Sequence, residues 1–217
     1  MYWWVLSIVI DYVTVGPFQE NTFFVWNKNS DSVLLIDPGD DPDTILLKIK
    51  SLSLNPVGII NTHAHLDHVG AVAVIKDEFS VPFYLHQAEK QILEHYPDMC
   101  SMFGIKARKA PKVDHWINGD CDIQIEEFTI TCIETPGHTP GGTTFLIEEN
   151  CFCGDTLFAG SIGRTDLPGG NYTTLMESLK KMKNRLNHDW NIFPGHGPKT
   201  TMKNELYNNP FLVSIKD

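Results

Sequence analysis

The segment Thr62-His63-Ala64-His65-Leu66-Asp67-His68 packs three imidazoles and one carboxylate into six residues, directly after an apolar run. Neutral imidazole and carboxylate are the ligands that a borderline ion such as zinc prefers, with bonds of about 2.0 to 2.2 Å that demand convergent donors. In an extended loop, side chains two apart point the same way, so His63 and His65 can share one ion. Asp67 and His68, on the turn into a helix, can face a second ion nearby. A lone histidine is more often a hydrogen-bonded or surface residue than a ligand; three at this spacing argue for metal.

Three further loops carry single candidates, each after a strand-like run. Thr135-Pro136-Gly137-His138-Thr139-Pro140-Gly141-Gly142 sets a histidine among prolines and glycines that fix the backbone and allow close approach. Phe152-Cys153-Gly154-Asp155-Thr156 presents an aspartate, and Pro194-Gly195-His196-Gly197-Pro198 repeats the histidine pattern. Each alone reads equally well as a turn histidine or a capping aspartate; with the first cluster they complete a site. Seven convergent ligands exceed what one four- or five-coordinate ion uses, so two divalent ions are expected.

The elements that must position these loops follow from periodicity. Val5 to Val15, Thr22 to Trp26 and Val33 to Ile36 are β-rich, with turns at Gly16-Pro17 and Asn27 to Asp31. The apolar start, Met1 to Ile10, is expected to be a buried strand, with no role evident for Tyr2, Trp3 and Trp4. Asp41-Pro42 reads as a helix start, with Asp41 capping and Ile45, Leu46, Ile49 and Leu52 at helical spacing. Val57 to Ile60 return as a buried strand, and Gly70 to Lys76 begin another helix. His86 to Lys112 reads as helix and loop without clear periodicity. From Trp116 to Leu146 strands resume, with Phe128, Ile130 and Cys132 alternating on one face. Leu175, Leu179, Met182 and Leu186 form the stripe of an amphipathic helix, and Trp190 to Phe193 make a last strand.

Bulk properties set the remaining limits. At 217 residues, the chain is long enough for one domain, residues 1–217, with a core that needs no staples. Seventeen basic against twenty-seven acidic residues give a formal charge of -10, with no basic block for phosphates, so nucleic acid is not an expected partner. A small anionic substrate is still allowed, because bound metals add local positive charge. The five cysteines lack zinc-ribbon spacing and read as reduced thiols; Cys151 and Cys153 suit one face of a strand. The apolar start has no basic n-region or cleavage site, and Asp11 interrupts it short of spanning length. A cytoplasmic protein without a membrane partner is expected.

These motifs, together with Val15-Gly16-Pro17-Phe18-Gln19-Glu20-Asn21-Thr22, Asp37-Pro38-Gly39 and Gly154-Asp155-Thr156-Leu157-Phe158, resemble the metallo-β-lactamase fold hydrolases. Within them the chain is similar to the glyoxalase II-like (hydroxyacylglutathione hydrolase) group. The resemblance implies an α/β fold, a four-layered αβ/βα sandwich of two mixed β-sheets flanked by helices. It implies that His63, His65 and His138 bind one metal and Asp67, His68 and His196 the other, with Asp155 bridging. Zinc is the first choice of metal, with iron or manganese as alternatives. The implied reaction is cleavage of a small thiol ester, with a glutathione-derived one of the S-lactoylglutathione type as the first expectation, by a metal-bridging hydroxide that Asp67 helps to orient. Members with that activity usually carry a C-terminal helical domain that binds the glutathione carboxylates. Only Thr200 to Asp217 follow the last motif, so core loops are expected to hold the substrate. Residues 158–170 resemble a short, single-domain branch, with Arg164 as the best candidate for a substrate carboxylate and a solvated or salt-bridged surface arginine as the alternative. A mononuclear iron persulfide dioxygenase and a lactonase of the same fold are the alternative readings. Oligomeric state is left open.

Overall fold

Strands buried on both faces carry continuous apolar runs, and the runs in the first third of this chain build such a sheet. A computed structural model describes residues 8–215. The first sheet comprises β1 (Ile8–Val15), β2 (Glu20–Asn27) and β3 (Ser32–Ile36), then, after helix α1 (Pro42–Ser51), β4 (Asn55–Ile60). Helices α2 (Leu66–Val69) and α3 (Val72–Phe79) lead to β5 (Phe83–His86), and α4 (Lys90–Glu94) and α5 (Tyr96–Met102) lead to β6 (His115–Ile117). The order is β1-β2-β3-β4-β5-β6, antiparallel as far as β3 and parallel beyond it.

The turn at Asn118-Gly119-Asp120 carries the chain into a second sheet. It holds β7 (Cys121–Ile125), β8 (Phe128–Glu134), β9 (Thr143–Ile147) and β10 (Asn150–Gly154), with a short ribbon of β11 (Leu157–Phe158) and β12 (Ser161–Ile162) beside it. Helix α6 (Tyr172–Arg185), β13 (Asn191–Pro194), β14 (Thr200–Thr201), α7 (Met202–Asn208) and α8 (Pro210–Ser214) follow. The order β14-β13-β10-β9-β8-β7 mixes a parallel β10–β13 pair with antiparallel neighbours.

The period-2 pattern sorts side chains into three cores. Phe23, Val25, Leu34 and Ile36 meet Ile130, Cys132, Phe145 and Phe152 between the sheets. The alternate residues, Phe24, Val33 and Leu35, pack outward on Ile45, Ile49 and Ile75 of α1 and α3. On the far side, Cys151, Cys153 and Ile192 pack on Leu175, Leu179 and Met182 of α6. The result is helix, sheet, sheet, helix: two mixed sheets flanked by helices, as the resemblance implied. Phe152, between Cys151 and Cys153, faces the other core, so the two thiols do share one face; all five cysteines are free. At the start of α6, the Asn171 side chain accepts the Thr174 N–H (3.0 Å), and Lys183 and Arg185 sit in its last turn, both favourable to the helix dipole.

Several expectations need correction. Helix α1 starts where Asp41-Pro42 placed it, but Asp41 does not cap it: its backbone is left-handed (φ 43), and its carboxylate accepts the Gly16 N–H instead (3.2 Å). The helix expected from Gly70 is present as α3 but starts two residues later, at Val72, after the short helix α2 that was not expected. The expected strands starting at Met1 and Val5 lie partly outside the described residues, and their described part forms β1. No helix among the described residues is long and apolar enough to cross a membrane.

Candidate metal centre

Both sheets point the same strand ends to one rim, and every candidate ligand leaves a strand there. The loop after β4 carries His63, His65, Asp67 and His68, the last two on α2; the loops after β8, β10 and β13 deliver His138, Asp155 and His196. All seven converge. Donor atoms of His63, His65 and His138 lie within 4.8 Å of one another, as do those of Asp67, His68 and His196, and those of His63, His68 and Asp155. Asp155 stands between the groups: Oδ2 is 3.5 Å from both His138 Nε2 and His196 Nε2, and Oδ1 is 3.4 Å from His68 Nε2.

Buried polar atoms without partners are costly, and this rim has a cluster of them. His63 Nε2, His68 Nε2 and Asp155 Oδ1 are buried with no hydrogen bond. The opposite nitrogens are engaged: His63 Nδ1 with Thr62 Oγ1 (3.1 Å), His138 Nδ1 with the Arg164 carbonyl (2.7 Å) and His196 Nδ1 with the Gln19 carbonyl (3.3 Å). Such outer bonds fix the tautomer and aim the free lone pair inward. His138 Nε2 and His65 Nδ1 face each other at 2.9 Å. The donor set therefore fits divalent ions of the borderline class.

The charges of the bare protein agree. Burial and the neighbouring His68 hold His63 well below the ordinary imidazole range, and burial with His138 takes His65 down to about 3, so both stay neutral. Burial works against protonation of His68 and His196, yet nearby carboxylates prevail. Asp155 and Asp37 raise His68 well above the usual value, and Asp155 and Asp67 raise His196 to about 10. Burial would raise the carboxyl of Asp155, but His68 and His196 hold it well below its usual value; Asp67 is lowered against burial in the same way, by His196 and His68. Two protons thus stand where cations would compensate two carboxylates.

Sequence reasoning missed the residues that hold this cluster in place. Asp37, at the end of β3 with a strained φ of 49, accepts from Thr62 N–H (2.7 Å) and Thr62 Oγ1 (2.6 Å) and meets His68 Nδ1 at 3.0 Å. Glu89 is fully buried and joins two ligand loops: Ala64 N–H donates to its Oε2 and Gly141 N–H to its Oε1, both at 2.7 Å. Burial pushes its carboxyl up. Asn21 explains part of the Gln19 to Thr22 motif, because its amide donates to the carbonyls of Pro194 (3.2 Å) and Gly197 (2.9 Å), on either side of His196. Asp37 and Asn21 left a signal, within the motifs Asp37-Pro38-Gly39 and Val15 to Thr22, and Glu89 left none. Arg164 contributes its carbonyl to His138, while its guanidinium, 56% exposed, makes a two-point pair with Asp166 (2.7 Å each). The structure thus places this side chain at the cleft edge but with a carboxylate of its own chain.

A cleft of about 380 Å³ opens over the centre, lined by Phe18, Asp67, His138, Phe158, Arg164 and His196, among others. Comparison with known proteins matches residues 15–196 to the metallo-beta-lactamase superfamily model. The hydroxyacylglutathione hydrolase GloC of Haemophilus influenzae is 37% identical over 94% of this chain and 98% of its own. Two crystal structures are also similar. The BLEG-1 B3 metallo-beta-lactamase has a TM-score of 0.89 and 35% identity, covering 95% of this chain and all of that one. TTHA1623 in a di-iron-bound form has a TM-score of 0.85 and 37% identity, covering 93% of this chain and all of that one.

Proposed function

Because the chain belongs to the metallo-beta-lactamase superfamily, we propose that its seven-ligand centre holds two divalent ions and serves a single-domain hydrolase of small acyl thioesters, glutathione thioesters among them. The observation that carries this reading is the pair of donor sets meeting at Asp155, with unpartnered atoms turned inward. His63, His65 and His138 would hold one ion, Asp67, His68 and His196 the other, and Asp155 both. When bound, such ions supply a hydroxide at neutral pH and polarise a carbonyl oxygen. Asp67, beside His196 Nε2 at 3.3 Å, is placed to orient the attacking oxygen and take its hydrogen bond. Hydrolysis forms a C–O bond and breaks the C–S bond; the thiolate leaves with the electron pair and water supplies the remaining proton. A thiolate leaves without help from a general acid, and the cleft offers no evident one. The name of GloC supports the thioester class. Zinc is the first expectation for the metal, and the di-iron form of TTHA1623 makes iron the second. The formal charge of -10 speaks against nucleic acid, and five cysteines free of disulfides support a cytoplasmic setting.

A second reading has a specific basis: BLEG-1, a B3 metallo-beta-lactamase, is matched over its full length. The deciding experiment is a side-by-side assay of metal-loaded protein with S-lactoylglutathione, a lactone, a β-lactam and glutathione persulfide under an oxygen electrode, after elemental analysis. Close to two ions per chain and thioester cleavage without oxygen uptake are expected. One ion that excess metal does not increase, or oxygen uptake with persulfide and no thioester cleavage, overturns the proposal. Faster turnover of the β-lactam moves it to the second reading.

A further inference from the structure

The metal cleft opens sideways into a second chamber of about 390 Å³, and His65, Met99, Phe103 and Leu167 line both. One wall comes from α4 and α5 with Ile92, Met99 and Met102; the other comes from Pro140 and the segment from Leu167 to Gly169. Met102 is 73% and Phe103 41% exposed, large apolar side chains left facing solvent at a rim. Phe103 also packs edge-on against Phe18 across the cleft mouth, with ring centroids 5.5 Å apart. An apolar hollow of this size that adjoins a reactive centre is the usual form of a small-ligand subsite, and methionine walls adapt to varied apolar shapes.

Charge sharpens the assignment. Glutathione carries two carboxylates that need cations, yet none of the residues lining this chamber is lysine or arginine, and Asp98 stands at its edge. The arginine of the neighbouring cleft, Arg164, already holds Asp166 at two points. An ionised carboxylate would lose much of its water here with only the Gln91 amide and the His95 imidazole as side-chain partners and no fixed cation.

We propose that this chamber is the pocket for the substrate's acyl group, and that the preferred substrate is a thioester whose acyl portion is apolar and uncharged, an alkyl chain of several carbons or an aryl group. It opens directly beside His65, within reach of a substituent of the reacting carbonyl carbon, and of the two such substituents the carboxylate-bearing thiol portion of a glutathione thioester is the one that a lining without lysine or arginine does not suit, which leaves the acyl group. This assignment rests on the thioester reading above.

The test uses metal-loaded protein and thioesters of one uncharged thiol, N-acetylcysteamine, bearing acetyl, butyryl, hexanoyl and phenylacetyl groups, beside S-lactoylglutathione. Each methylene that enters the chamber should raise kcat/KM roughly fourfold, and the hexanoyl ester should exceed S-lactoylglutathione. In Leu167→Asp and in Met102→Asp, a site exposed enough to leave folding alone, the hexanoyl-to-acetyl ratio should fall at least tenfold. Binding of the uncharged fluorophore N-phenyl-1-naphthylamine, read without turnover, should weaken by a similar factor in both variants. Thioester cleavage with a flat acyl profile, or a ratio that the variants do not move, overturns the pocket while leaving hydrolysis intact. Fluorophore binding that both variants weaken, with no thioester cleaved, supports the apolar pocket and overturns the thioester reading instead.

Discussion

At the scale of single residues, the centre trades protons for metal. His68 and His196 hold protons in the bare protein because Asp155, Asp37 and Asp67 surround them, and an ion that takes their nitrogens must displace those protons. His196 is raised from 6.5 to about 10, so its favourable pairing is fully present below 6.5 and is lost as pH rises through 10. Metal affinity runs the opposite way and should climb across that window, by up to about tenfold per pH unit for each proton displaced. Calorimetric zinc titration at pH 7 in two buffers of different ionisation heat should report roughly three protons released per chain, one each from His68 and His196 and one from the water that becomes hydroxide; no release would contradict the assignment. The seven proposed ligands, which the structure brings together, were legible because metal chemistry restricts residue type and because four of them crowd into six positions. Asp37 and Glu89 were not read as part of the site, since an isolated acid is common and its partners, Thr62 and Gly141, lie 25 and 52 residues away.

At the scale of elements, alternation and helical spacing carried the reading furthest. Phe128, Ile130 and Cys132 do share a buried face, and Leu175, Leu179 and Met182 bury one face of α6. A local rule misled at Asp41, where a tertiary contact outweighs it and Gly16 claims the Asp41 carboxylate; Gly70, just before α3, lies tight against the Gly39 carbonyl. Gly195 shows the same closeness at the centre, where an added methyl would collide with Asp155 Oδ1 and His68 Cε1. Two substitutions separate packing from chemistry. Leu179→Ala, far from the rim, should cost about 2 to 5 kcal/mol in urea unfolding and leave the metal content unchanged. Gly195→Ala should instead lower metal content and turnover by an order of magnitude or more, with a smaller effect on unfolding. If the two variants showed the same profile, the idea that Gly195 keeps room for the ligands would fail.

At the scale of the molecule, the chain crosses from one sheet to the other through Asn118-Gly119-Asp120. Four proposed ligands precede that turn and three follow it, so the centre also fastens one half to the other. Metal present at about a thousandfold its dissociation constant adds roughly 4 kcal/mol, worth about 8 to 16 °C for a chain of this size. Removing metal with a chelator should lower the melting temperature by that order, and resupplying it should restore the loss; a melting temperature that ignores metal would show that the halves hold together without it. The layered architecture was foreseeable from the family resemblance, whereas the division of the centre between the halves required knowing where β6 ends and β7 begins.

That division also sets a timetable. A ribosome delivers His63, His65, Asp67 and His68 long before His138, Asp155 and His196, and neither donor set is complete until a ligand from beyond Gly119 has emerged. The second set waits for His196, near the close of the described chain. Each set is therefore completed only after the chain has crossed between its two sheets, and a nascent chain that stops at the crossover would hold neither set complete.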